Sequence, residues 1–140
     1  MHETGHKLCH SVICRCSSLE NTYRLAPQQA FPVAKASAII ADVLEEHLEG
    51  YTYSYESCGK LSRSLANEIK DRTKLLLLTP TQHWQRYKLV CFVAMGDRKL
   101  ASVSLASRCV WNEKCDTRAE ATYSGKSLYA LGVLYALYHE

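Results

Sequence analysis

The sequence predicts an α+β domain: two N-terminal helices packed on a four-stranded antiparallel sheet, in the order ααββββ. Apolar residues recur at helical spacing in two runs before residue 78. The period then changes to two from Arg86 onward. No internal repeat interrupts the order of helix, helix and four strands, which is an α+β arrangement.

The 140 residues suit one domain. With 47% hydrophobic and 22% charged residues the chain is neither a disordered tail nor a coiled coil. Its longest strong apolar run, Leu75–Leu78, is far short of a membrane span, so no membrane partner is expected. A net charge of +3 without any block of five like charges argues against nucleic acid. Seven cysteines and the lack of a signal-peptide pattern at the N-terminus point to reduced thiols in the cytosol, with Cys91 and Cys109 as small core residues.

Residues 1–20 read as a poorly ordered leader ahead of a domain spanning 21–140. They hold His6, Cys9, His10, Cys14 and Cys16, residue types that suit zinc. These crowd together without the second, distant ligand pair that closes a structural site. The cluster is therefore either a small metal- or redox-responsive module or an incidental tail.

The first helix is expected from Val33 to Leu48, where Ala36, Ile40, Leu44 and Leu48 form a stripe widened by Ile39 and Val43. Pro32 is tolerated just ahead of it and Gly50 ends it. Tyr51, Tyr53 and Tyr55 follow on alternate positions, either packing their rings at the edge of the helices or offering a stacking surface. The second helix is expected from about Ser57 to Leu77, with Leu61, Leu65 and Ile69 on its apolar face. Glu68 and Arg72 are spaced to pair across one turn, and Pro80 stops the helix. Thr79–Gln85 reads as a loop, with Trp84 as a lid on the sheet or a contact anchor.

Alternation marks the strands. Tyr87, Leu89, Cys91, Val93 and Met95 alternate with Lys88, Val90, Phe92 and Ala94, and Gly96-Asp97 reads as a turn. In the second strand Ala101, Val103, Leu105, Cys109 and Trp111 share a face against Ser102, Ser104 and Arg108. A shorter strand covers Arg118–Tyr123, and Ser124-Gly125-Lys126 turns the chain into a last strand, Leu128–Tyr138. The first and last strands are apolar on both faces, while two helices cover only one face of a sheet. The second strand would also leave a backbone edge open, which a partner subunit or an extended peptide would close.

No catalytic constellation is present. There is no G-x-S-x-G elbow, G-x-G-x-x-G loop or P-loop, and His47, His83 and His139 lie at scattered positions. Cys115, beside Lys114 in a connection, is the thiol expected to react first. The chain reads as a non-enzyme without a cofactor or metal site.

Several strings together resemble the Tctex-type dynein light chains, in particular their Tctex domain-containing branch. They are Glu20-Asn21-Thr22-Tyr23-Arg24-Leu25, Leu61…Leu65…Ile69-Lys70-Asp71, Arg86-Tyr87-Lys88, Ala106-Ser107-Arg108-Cys109-Val110-Trp111 and the closing Ser127-Leu128…Tyr138. The likeness covers about residues 20–140. It implies a homodimer in which the second strand is exchanged between subunits, or a heterodimer with another Tctex-type light chain. It further implies a non-catalytic adaptor, cytoplasmic and cytoskeleton-associated or belonging to a cilium or flagellar axoneme. Such an adaptor binds a segment of a dynein intermediate chain or a cargo protein as an added strand. By matching motif, Ala106, Ser107, Arg108, Cys109, Val110 and Trp111 would lie along or beside the groove that holds this strand, and together with Val103 and Leu105 of the same strand they are the expected dimer and peptide-binding surface. The leader has no counterpart in the family, and the Leu75–Gln85 segment is longer than its usual turn.

Overall fold

The computed structural model describes residues 21, 23–78, 86–100, 102–109 and 112–139. The readings made for the leader, for the loop with Pro80, His83 and Trp84, and for Val110 and Trp111 lie outside these residues. Helix α1 (Val33–Leu48) has the predicted bounds. Pro32 precedes it, and Ala36 N donates to the Pro32 carbonyl. The chain leaves α1 through Gly50, whose φ of 73° is a left-handed conformation that glycine adopts without Cβ strain. Ala36, Ile40, Val43, Leu44 and Leu48 form its buried stripe.

Helix α2 (Tyr55–Leu77) starts two residues earlier than the sequence suggested. Ser54 occupies the N-cap but makes no side-chain cap bond; its carbonyl instead accepts from Cys58 N. Of the three alternate tyrosines, Tyr51 and Tyr53 pack against the core, while Tyr55 is 87% exposed. The Tyr51 hydroxyl contacts Ser57 Oγ, and Tyr53 N donates to Ser127 Oγ at 3.2 Å. Desolvation raises the Tyr53 phenol above its ordinary pKa. Inside α2 the buried Thr73 hydroxyl is satisfied by donating to the Ile69 carbonyl at 2.8 Å.

Three strands make the sheet: β1 (Tyr87–Asp97), β2 (Thr117–Ser124) and β3 (Leu128–Tyr138). Their order is β1-β3-β2, and β3 is antiparallel to both neighbours. Tyr87 lies opposite Tyr138 and Asp97 opposite Leu128; Thr117 lies opposite Ala136 and Ser124 opposite Tyr129. Gly96 and Asp97 end β1, so the turn follows them at residues 98–100.

The expectation of four strands within one chain is corrected here. Residues 102–109 form no ladder, and the sheet has three strands. Alternation sets which side chains share a face, but a strand also needs a neighbour with open backbone groups. β1 and β2 occupy both edges of β3, and within one copy residues 102–109 pair with neither of the outer edges that remain.

α1 lies over β2 and β3, and α2 lies over β1, all on one side of the sheet. That side presents Leu89, Val93, Ala119, Leu128, Ala130, Leu134 and Ala136 to the core. At its end, Tyr87 packs edge-on against Phe31 and Tyr138, with ring centroids 5.4 and 5.7 Å away.

Candidate partner-binding face

The two faces of the sheet meet different surroundings because side chains alternate along each strand. With the helices on one side, the register puts Lys88, Val90, Phe92 and Ala94 of β1 on the other. Leu131, Val133, Tyr135 and Leu137 of β3 share that outer face. Val90 is 44% and Phe92 48% exposed. β1 also pairs on one side only, leaving the other edge of an eleven-residue strand without a ladder among the described residues. An open, apolar edge of this length is a template for another chain.

All of residues 102–109 are exposed, with Val103 and Leu105 at 48% and 40%. Ser107, Arg108 and Cys109 line a groove of about 580 Å³ together with Asp116, Thr117, Arg118, Tyr135 and Leu137. Cys109 Sγ stands 3.8 Å from Asp116 Oδ2. The other Asp116 oxygen accepts from Tyr138 N at 3.0 Å, which fixes the start of β2 to the end of β3. The Thr117 hydroxyl is shielded there without a hydrogen-bond partner.

Of the residues singled out from the sequence, Ser107, Arg108 and Cys109 meet in this groove, while Val103 and Leu105 lie further along the segment. Tyr135, Leu137 and Arg118 belong to the groove but were not singled out. Their signal was the apolar second face of the last strand, which located the surface without saying what would cross it.

The thiols exchange roles relative to the expectation. Cys109 is exposed, whereas Cys115 is 4% exposed and aims its thiol at the Leu25 carbonyl. The sheet face that would have buried Cys109 does not form, and the turn over residues 113–115 tucks Cys115 inward. Burial pushes the Cys91 thiol up to about 11. At neutral pH that leaves roughly a hundredfold less thiolate than a thiol at 9.0.

Away from this face, Arg72 Nη2 bridges Glu46 on α1 and Glu68 on α2 at 2.7 and 2.6 Å, and His47 Nε2 approaches Glu68 at 2.8 Å. The predicted Glu68–Arg72 pair is thus part of a clamp between helices. The ligand atoms of Glu46, His47 and Glu68 lie within 4.8 Å of one another, yet the guanidinium already serves both carboxylates.

The Arg72 hydrogen bond holds the Glu46 carboxyl below its ordinary 4.5. A lowered carboxylate pKa adds stability above the unfolded value, and that stability is lost as pH falls through the folded value. Arg72→Gln should therefore move the Glu46 titration midpoint, followed by carboxyl NMR, upward toward 4.5. Because both groups are exposed, the unfolding midpoint at neutral pH should change little. An unmoved Glu46 titration would show that the clamp does not persist in solution.

The sequence profile of the Tctex-1 family matches residues 30–137, from just ahead of α1 to the penultimate residue of β3. The chain belongs to the Tctex-1 family. Over 139 residues it is 33% identical to dynein light chain Tctex-type 5-B of Xenopus laevis, covering 99% of this chain and 74% of that protein. Identity to human dynein light chain Tctex-type 5 is 34% over 122 residues, 87% of this chain and 65% of the relative. With dynein light chain Tctex-type protein 2B of Danio rerio it is 32% over 121 residues, 85% of this chain and 77% of that one. The chain thus spans about two thirds of the length of the human type 5 relative. Within this Tctex-1 chain, the matched region contains both helices, all of the sheet except Tyr138, and the ladderless segment. No helix of the described residues is long and apolar enough to cross a membrane.

Proposed function

We propose that this protein is a non-catalytic dynein light chain that dimerises and takes up an extended segment of a dynein intermediate chain or of a cargo protein by strand addition. The observation that carries this reading is the pairing of an open β1 edge with an exposed, ladderless segment at residues 102–109. Each lacks what the other supplies. In a dimer, the segment of one copy joins the sheet of the other, through main-chain hydrogen bonds, and its alternate side chains fill outer-face positions. The second copy is another molecule of this chain or another Tctex-type light chain. Membership of the Tctex-1 family and the dynein light chain names of its relatives support the association with a motor complex, and hence a cytoplasmic, cytoskeleton-associated setting.

The residues proposed to make the dimer and peptide contacts are Val103, Leu105, Ala106, Ser107, Arg108 and Cys109, continuing to Val110 and Trp111. Light scattering on a size-exclusion column tests the reading. A dimer at micromolar concentration is expected, together with binding of an intermediate-chain segment; a monomer that binds none would refute it. Val103→Pro removes a backbone donor from the segment and should weaken the dimer by about tenfold or more. An unchanged dimer affinity in that variant would place the interface elsewhere.

A further inference from the structure

Val133 is out of keeping with an open sheet face. Its register partners are Phe92 and Glu120, which puts it on the outer side. Yet it is 0% exposed and stands apart from the core that the helices make. Exposed neighbours within a flat sheet would not close over a side chain completely, so something lies across it.

Topology says what has to pass that way. β1 and β2 are both antiparallel to β3 and therefore run parallel to each other on its two sides. The chain leaves β1 at the Leu128 end of β3 and enters β2 at the Tyr138 end. It must travel most of the length of an eleven-residue strand, about 33 Å at ~3.3 Å per residue. Residues 98–116 are long enough for this when extended. One route, the helix side, is filled by α1 and α2.

The contacts agree with the other route. Ser107, Arg108 and Cys109 share their groove with Tyr135 and Leu137 of the outer face. Leu100, in the turn, is 87% exposed, whereas Val103 and Leu105 are covered by about half.

We propose that in a lone copy residues 102–109 lie along the outer face of their own sheet, over Val133, and are lifted from it when a second copy takes them up as a strand. The segment then has two positions: a cover without a ladder in the monomer, and a donated strand in the dimer. This rests on the strand-exchange reading and adds its resting state. The cover shields an apolar face that would otherwise meet solvent while the chain is alone. It also means that association displaces a contact as well as making new ones.

The test joins the two sides of the groove. In the full chain with Cys9, Cys14 and Cys16 changed to serine, Leu137→Cys is treated with a short bis-maleimide that can bridge it to Cys109. Intact mass and light scattering follow the product. Dilute protein should give mainly an intrachain link, and the linked chain should stay monomeric where the unlinked one dimerises. No intrachain product from dilute chains, or a linked chain that dimerises as well as the unlinked one, would overturn the inference while leaving strand exchange standing. An unsubstituted chain that never dimerises would instead remove the exchange reading, and the two-position segment with it. In the unsubstituted chain, methyl NOEs from Val133 to Val103 or Leu105 should appear within one molecule in dilute samples. Their absence would likewise overturn the covering position.

Discussion

Leu44→Ala should lower the free energy of unfolding by about 2–5 kcal/mol, measured by urea denaturation with the slope unchanged. Leu44 is fully buried on α1, in one stripe with Ile40 and Val43. A methyl placed on Gly132 of β3 would come within 3.6 Å of its Cδ1, so the side chain fills the gap between helix and central strand. Removing it leaves a cavity bounded by a helix and a sheet that are each tied down along their length, and neither can collapse far. Domains of this kind are stable by only about 5–15 kcal/mol, so the loss is a large share. Leu75→Ala, on the same type of residue but 63% exposed, should by contrast cost little. If Leu44→Ala cost no more than Leu75→Ala, the α1–β3 layer would not be where the fold's stability resides.

The same helix shows what a sequence can reveal unaided. Pro32 at one end and Gly50 at the other flank a stripe with a regular period, and the observed bounds of α1 are the predicted ones. β3 was equally legible, since its alternation runs unbroken from Leu128 to Tyr138. α2 begins two residues early: Ser54 takes the N-cap position without a side-chain cap bond, and Tyr55, 87% exposed, adds nothing to the apolar stripe that would mark the start. The tyrosine run needed the fold to divide it. Tyr51 and Tyr53 pack against the core, Tyr53 tied to the β2–β3 turn through Ser127 and Tyr51 touching Ser57, and Tyr55 is left in solvent. The second predicted strand failed for a different reason. Its alternation is real, but ladder formation depends on which edges remain open after distant segments have paired, and no local pattern encodes that. The roles of Cys109 and Cys115 followed the same dependence. The candidate surface was legible as an unburied apolar face and an unpaired segment. Its geometry, with Tyr135 and Leu137 meeting Ser107–Cys109, was not.

Gly132 gives the second large effect, and its sign separates close packing from strand propensity. Gly132→Ala should destabilise by about 1–3 kcal/mol, although alanine fits a strand better than glycine does. The added Cβ would stand 2.5 Å from Ile40 Cγ2, with Leu44 and Ile69 side chains at 3.6 and 3.7 Å. All three neighbours are fully buried, and Ile40 is branched at Cβ, so its rotamers are few. α1 would have to lift from the sheet to make room. Gly96→Ala is the internal control. Its Cβ would meet the Tyr129 ring at 2.4–2.9 Å, a shorter approach on paper. That contact, however, is with the far end of a side chain whose hydroxyl has no hydrogen-bond partner to lose. The ring can swing where the Ile40 methyl cannot, and Gly96→Ala should cost clearly less than Gly132→Ala in the same unfolding measurement. The reverse order would mean that α1 sits further from β3 in solution, and that Gly132 is there for some reason other than the closeness of the helix.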